Sequence, residues 1–240
     1  MKVLLIIPAR FASTRLPGKP LALIGGLPMV VRVARQLQDV SGDKEVVIAT
    51  DDERIVEAAA KHQIQAVMTG DHVSGTDRCA ATASMLPFSA DIVVNVQGDE
   101  PFIQASTIDR LIQAFDDPSV NIATLCFPID REEDFRSEHV VKVVRDRSGN
   151  ALYFSRAMIP FPRQASEQKA YKHIGIYAFR NEVLQQVASL PPTALERTES
   201  LEQLRWLEHG YLIRVVESDA DTMGIDTPED LAAANLKISE

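Results

Sequence analysis

Short, near-continuous apolar runs alternate with longer amphipathic stretches through the first half of this chain, and that rhythm restricts it to a parallel sheet with crossover helices. Residues 3–7, 45–50 and 91–97 read as strands buried on both faces. Between them, 28–37 and 52–61 carry helical spacing, with Asp51 or Asp52 as cap. A third helix is expected from Gly75 to Leu86, stopped by Pro87, and a fourth from Ser106 through Phe115. The pattern changes near residue 121. Strands are expected at 121–129 and 140–144, and the turn Arg147-Ser148-Gly149-Asn150 leads into 151–156 as a hairpin. Pro160 and Pro162 break the chain, 164–169 is a polar loop, and 171–179 resumes as a strand. Helices follow at 181–188 and 198–208, then a strand at 212–216. Thr227-Pro228-Glu229-Asp230 opens a last helix, with Thr227 as cap and Asp230 reaching back. With 240 residues, 45% of them hydrophobic, the chain can bury one large core. It reads as a single α/β domain, 1–240, with a mixed-strand subdomain inserted at about 125–180.

The net charge of −9 opposes a general nucleic-acid footprint, so positive charge must act locally. It does so at the beginning: Lys2, Arg10, Arg15, Lys19, Arg32 and Arg35 all precede Asp39, the first acid. In IIPARFASTRLPGKP, residues 6–20, a strand-like run breaks at Pro8 into a loop holding Arg10, Arg15 and Lys19. A loop leaving the C-terminal end of the first strand of such a sheet lies where these folds bind ligands. Two guanidinium forks and an ammonium can gather phosphate oxygens there, with Ser13, Thr14 and amides freed by Gly18 completing the cradle. The segment is neither a Walker loop nor a dinucleotide fingerprint. Asp99, after Gly98 in NVQGDEP, and Asp226, before the last helix cap, stand where carboxylates project from strand ends. Each reads equally as a turn residue or a helix-dipole acid. Cys79 and Cys126 sit alone in apolar surroundings, as buried thiols of a reducing compartment do. No apolar run approaches a membrane span or a signal peptide, so a soluble cytoplasmic protein is expected. His62, His72, His139 and His209 show no metal-ligand spacing.

PARFASTRLPGKPL, ATDDERI, SGTDR, NVQGDEP, ALYFSRAMIP, KHIGIYAFR, LEQLRWLEHG and GIDTPEDL together resemble the 3-deoxy-manno-octulosonate cytidylyltransferases, in order from residue 3 to about 235. The resemblance implies a nucleotide-diphospho-sugar-transferase-like fold, CTP and Mg²⁺ as requirements, and a homodimer formed through the inserted subdomain. The anion awaited by Arg10, Ser13, Arg15 and Lys19 is then the triphosphate of CTP. The family's metal ligands map onto Asp99 and Asp226, and its base-contacting turn onto Ser74 to Arg78, with Arg78 as donor and Ser74 as helper. Its sugar contacts map onto Gln97, Arg156, His173, Tyr177 and Gln203.

The implied reaction is in-line attack of the sugar's anomeric 2-hydroxyl on the α-phosphorus of CTP. It gives CMP-Kdo, for lipopolysaccharide, and pyrophosphate, with Lys19, Arg10, Asp99 and Asp226 doing most of the electrostatic work. The partners are CTP and an acidic sugar, with neither nucleic acid nor membrane. Alternatives within the class are the 8-amino analogue of the sugar or a sialic-type nine-carbon acid. The alternative outside it is a non-catalytic nucleotide-sensing module.

Overall fold

The computed structural model describes residues 1–164 and 170–239, so all of the expected 164–169 loop except Gln164 lies outside the described residues. The chain divides into two compact units, Met1–Asp109 with Thr222–Glu240, and Arg110–Asp221. The expected insertion at about 125–180 falls within the second, which extends further at both ends.

The first unit begins with β1 (Lys2–Ala9), the small hairpin β2 (Leu23–Ile24) and β3 (Leu27–Pro28), and α1 (Met29–Gln38). There follow β4 (Asp43–Thr50), α2 (Glu53–Lys61), β5 (Gln65–Met68), α3 (Gly75–Met85) and β6 (Ile92–Asn95), and then α4 (Ala105–Gln113), which begins in this unit and ends in the second. The sheet of the first unit runs β6-β1-β4-β5, every pair parallel, with registers such as Leu5↔Val46 and Leu5↔Val94. Leu4, Leu5, Ile6 and Ile7 are fully buried, which is why this strand reads as an unbroken apolar run. The strand does not break at Pro8 as expected; it continues to Ala9. The carbonyl of Ile6 accepts the Val96 N–H at 2.9 Å, one residue past the end of β6. Pro8 points to the same side two residues on, beyond the β6 ladder, so its missing N–H forfeits no bond. Asp52 caps α2 by accepting the Arg54 N–H, and Ser74 with Asp77 forms a full capping box on α3.

The second unit holds β7 (Ile122–Pro128), α5 (Glu132–Arg136), β8 (Lys142–Arg145), β9 (Ala151–Ser155) and β10 (Tyr171–Arg180). It closes with α6 (Asn181–Ala188), α7 (Ala194–Glu199), α8 (Gln203–Glu208) and β11 (Ile213–Glu217). Its strands lie in the order β11-β7-β10-β8-β9; β11 and β7 are parallel and the other pairs antiparallel, so the expected mixed strands and the β8–β9 hairpin are present. The single helix expected at 198–208 is two helices. Ser200 takes the left-handed conformation at φ 53° and ends α7 before α8 begins.

The chain returns to the first unit with α9 (Pro228–Ser239). Thr227 Oγ1 accepts the Asp230 N–H, while Asp230 Oδ2 accepts the N–H groups of Asp226 and Thr227. Leu231 and Ala234 of α9 join a core cluster with Leu16, Ile24 and Met29, so the hydrophobic side of the 10–19 loop is pinned from beneath. Among the described residues no helix is long and apolar enough to cross a membrane.

Candidate functional site

The end of β1 delivers the basic loop to the rim of a cavity of about 570 Å³ lined by Arg10, Ser13, Arg15, Lys19, Gln97, Asp99 and Asp226. Gly18 precedes a short 3₁₀ turn at Lys19–Leu21 and sits at φ 66°, a conformation costly for a residue with a side chain. That turn aims Lys19 inward. Its ammonium donates to Asp99 Oδ2 at 2.6 Å and to Asp226 Oδ1 at 2.8 Å, and Arg15 pairs with the same Asp226 oxygen at 3.1 Å. Burial works against the Lys19 charge, but the two carboxylates outweigh it and hold the ammonium above the usual lysine range. The Asp99 carbonyl accepts the Ile225 N–H at 2.9 Å, tying the two acid-bearing segments together. Gly98 permits the approach of this turn to β1, because a Cβ there would lie 3.2 Å from the Pro8 carbonyl oxygen.

Two carboxylate oxygens thus converge on one cationic centre. Among the described residues no group of three or more His, Cys, Asp or Glu forms a metal cluster. This donor set suits Mg²⁺, which takes one or two carboxylates and completes its shell with substrate phosphates and water. Arg10, Ser13, Arg15 and Lys19 all line this one cavity, although Ser13 Oγ also accepts the Leu16 N–H within its own loop at 3.4 Å.

A smaller cavity of about 220 Å³ is lined by Arg10, Ser74, Gly75, Arg78 and Gln97, which brings the expected base turn beside the loop. Ser74 is also the helix cap, as a small hydroxyl at that position should be. The Arg78 guanidinium is buried and donates to Thr69 Oγ1 at 2.6 Å and Asp51 Oδ2 at 2.8 Å. Sequence reasoning missed the rest of this brace. Asp51 Oδ1 also accepts the Phe11 N–H at 3.3 Å, and the Arg54 guanidinium lies 3.4 Å over the Phe11 ring. The aspartate pair after β4 was the only signal, and it reads as a cap.

Arg156, His173, Tyr177 and Gln203 all belong to the second unit. His173 and Tyr177 share one face of β10 despite a bulge between Ile174 and Tyr177, their ring centroids 5.3 Å apart. Phe154, Phe179 and Trp206 complete the aromatic cluster. His173 Nε2 shares a hydrogen bond with Thr124 Oγ1 at 2.9 Å, and burial pulls its pKa down to about 3, leaving a neutral imidazole near neutrality. Burial, with the Glu202 charge adding to it, keeps the Tyr177 phenol protonated. Gln203 is buried, and its side-chain Nε2 has no hydrogen-bond partner among the described residues. Cys79 and Cys126 are buried and in no disulfide; burial pushes Cys126 up to about 12.

Comparison with known proteins identifies the chain's family. The family model described as Cytidylyltransferase matches residues 4–217. A 3-deoxy-manno-octulosonate cytidylyltransferase of Bacteroides thetaiotaomicron is 50% identical over 98% of this chain and 97% of its own, and one of Phocaeicola vulgatus is 48% identical over 100% and 98%. A solved CMP:2-keto-3-deoxy-manno-octonic acid synthetase complexed with CTP superposes with a TM-score of 0.95 at 43% identity, covering 100% of this chain and 99% of that one. A nucleotidyltransferase by fold and by kinship, the chain belongs to the cytidylyltransferase family, among the 3-deoxy-manno-octulosonate cytidylyltransferases.

Proposed function

We propose that this protein transfers CMP from CTP to the anomeric 2-hydroxyl of 3-deoxy-manno-octulosonate, giving CMP-Kdo and pyrophosphate for lipopolysaccharide synthesis. The observation that carries the reading is the convergence of Asp99, Asp226, Lys19 and Arg15 in one cavity beneath the Arg10 loop. A phosphoryl-transfer site needs this combination: cations for the departing pyrophosphate and paired acids for a metal. A sensing module has no use for two converging carboxylates.

In the proposed mechanism Arg10 and Arg15 hold the triphosphate as forks and Ser13 adds a hydroxyl contact. Asp99 and Asp226 would hold Mg²⁺, which would supply Lewis-acid stabilisation of charge on the phosphate oxygens. Lys19 then turns from the carboxylates to the β- and γ-phosphate oxygens and stabilises the charge of the leaving group. Ser74 and the backbone of its turn read cytosine; Arg78, already engaged by Thr69 and Asp51, braces that turn. Arg156, His173, Tyr177 and Gln203 of the second unit bind the sugar, Arg156 pairing with its carboxylate, and Gln97 serves within the first unit, where it lines both cavities. The unpartnered Gln203 amide supports this, because a buried donor left unsatisfied costs about 1–3 kcal/mol that a sugar hydroxyl would offset. The enzyme works as a homodimer, for which the exposed Leu152 and Phe161 of the second unit supply apolar surface, and in the cytoplasm, where its thiols stay reduced.

Pyrophosphate release measured with CTP, Mg²⁺ and each candidate acid sugar tests the reading. Kdo should support turnover and a nine-carbon acid should not. Faster release with the 8-amino analogue than with Kdo would reassign the substrate, and no release with any sugar would leave the nucleotide-sensing reading in its place. Light scattering at micromolar concentration tests the dimer.

A further inference from the structure

Lys142, at the start of the β8–β9 hairpin, is fully buried, yet its sequence context of two flanking valine pairs marks only a strand. Its ammonium donates to three backbone carbonyls: Ser137 at 2.8 Å, Val140 at 2.7 Å and Arg156 at 2.5 Å. Among the described residues no carboxylate accepts from it. Burial pulls this lysine below its usual range; Glu199 opposes that and the Arg156 charge adds to it. Burying a cation is costly, and an apolar residue of similar volume fills such a position as well or better when only packing is at stake. The cation therefore calls for a reason beyond the fold.

The reason lies in what the three carbonyls belong to. One is Arg156 itself. The others flank Glu138, whose own carbonyl accepts from Arg156 Nη1 at 3.0 Å. The remaining hold comes from Glu199, whose carbonyl accepts from Arg156 Nε at 2.8 Å and whose carboxylate takes the Arg156 N–H at 3.0 Å and the Ser155 hydroxyl at 2.6 Å. With Glu138 exposed, the less exposed charges here are two cations and one carboxylate, leaving one positive charge in excess among them. A neutral ligand gains nothing from that excess, whereas a carboxylate does.

We propose that Lys142 is a positioning and specificity residue for the acidic sugar: it fixes the Arg156 guanidinium through the 137–142 turn and supplies the buried positive charge that selects a carboxylate. The inference rests on the reading of Arg156 as the sugar-carboxylate partner.

The test is two-substrate kinetics and thermal melting on Lys142→Met, Lys142→Gln, Arg156→Ala and the double variant Lys142→Met/Arg156→Ala. Lys142→Met should raise the sugar KM by roughly 10- to 100-fold, the order for losing a charge-assisted contact, while the CTP KM stays within about twofold. Lys142→Gln, which keeps two donors for the carbonyls but no charge, should fall between and carries the test if the methionine variant does not fold. In the Arg156→Ala background, Lys142→Met should add less than about twofold, because both act on one contact. An unchanged sugar KM in both Lys142 variants, a parallel rise in both KM values with a lowered Tm, or additivity in the double variant would each overturn the proposal and make Lys142 a fold residue. If Arg156→Ala itself left the sugar KM at its wild-type value, the reading of Arg156 would fall instead, and with it the basis for assigning Lys142.

Discussion

The charged cavity of the first unit and the aromatic cluster of the second are built in opposite ways. In the first, charges are numerous and largely solvated: the Arg15 side chain is 65% exposed, and Asp226 is 45% exposed. Lys19 lies between the two acids, in the place that a metal would take under the proposed function. In the second, the polar tips of His173 and Tyr177 lie within an aromatic cluster. His173 is fixed by Thr124, and Arg156 is held by Glu199, Glu138 and Lys142. A site for a flexible, highly charged triphosphate can rearrange its long cationic side chains around the ligand. A site that must tell one acidic sugar from another depends on groups already in place, since movement there would cost specificity.

The largest test of this contrast removes one acid. Asp99→Ala or Asp226→Ala should lower turnover at saturating Mg²⁺ by at least roughly a hundredfold, the order for losing a major electrostatic contact of the transition state. Thermal stability should barely move, since the lost partner of Lys19 is half solvated and the other acid remains. Pyrophosphate release and a melting curve read the two effects separately. Near-normal turnover in either variant would remove that acid from the metal site and leave the first unit with a salt-bridge cluster only.

The pH dependence of stability should be carried by the second unit. The folded pKa of His173 lies below its unfolded value, so the contribution is whole above about pH 6.5 and is lost as pH falls toward about 3. Relative to His173→Gln, the wild type should lose roughly 2 kcal/mol of stability between pH 6.5 and 4.5, discounted for the partial exposure of the ring. Chemical denaturation at several pH values checks this, and Trp206, the sole tryptophan, reports from inside the cluster. Parallel pH curves for the two proteins would mean that the imidazole titrates freely and the cluster is open to water.

A smaller effect is expected for Lys19→Ala at saturating CTP. The maximal rate should fall by about tenfold, because the ammonium matters most as pyrophosphate leaves. A raised CTP KM with an unchanged maximal rate would make Lys19 a ground-state binder. Either result sharpens the view of the first unit as a rearranging site, since Lys19 donates to both Asp99 and Asp226.

Much of this was readable from the residues, for identifiable reasons. Strands such as β1, β4 and β6 announce themselves because burial on both faces demands continuous apolar runs, and the cationic loop stands out because no acid precedes Asp39. β5 was missed because QAVM is short and half-exposed, and α5 because EEDFR has no apolar face. That Asp99 and Asp226 meet on one lysine is a tertiary fact that no local spacing encodes. Arg78 looked like a free donor for the base because the sequence does not reveal that Asp51 and Thr69 wait beside it. Lys142 was invisible for the same reason: a lysine among valines reads as a solvated edge residue, and only the turn at 137–140 makes it a buried clamp.

The break between α7 and α8 provides the smallest test of the claim that the second unit is built rigid. Ser200 holds φ 53° there, directly after Glu199, whose carbonyl and carboxylate both grip Arg156. A left-handed conformation costs a non-glycine residue about 1–2 kcal/mol, whereas glycine loses roughly 0.5–1 kcal/mol through its freer unfolded state. Ser200→Gly should therefore stabilise the protein, by less than about 1 kcal/mol, with the backbone at Glu199 undisturbed. If the grip on Arg156 is set by the folded geometry alone, the sugar KM will stay at its wild-type value while the melting temperature rises slightly. A raised sugar KM at unchanged or higher stability would show that the serine limits motion of the Glu199 segment, and that the order of the second unit depends on backbone restraint at this joint as well as on its buried side chains.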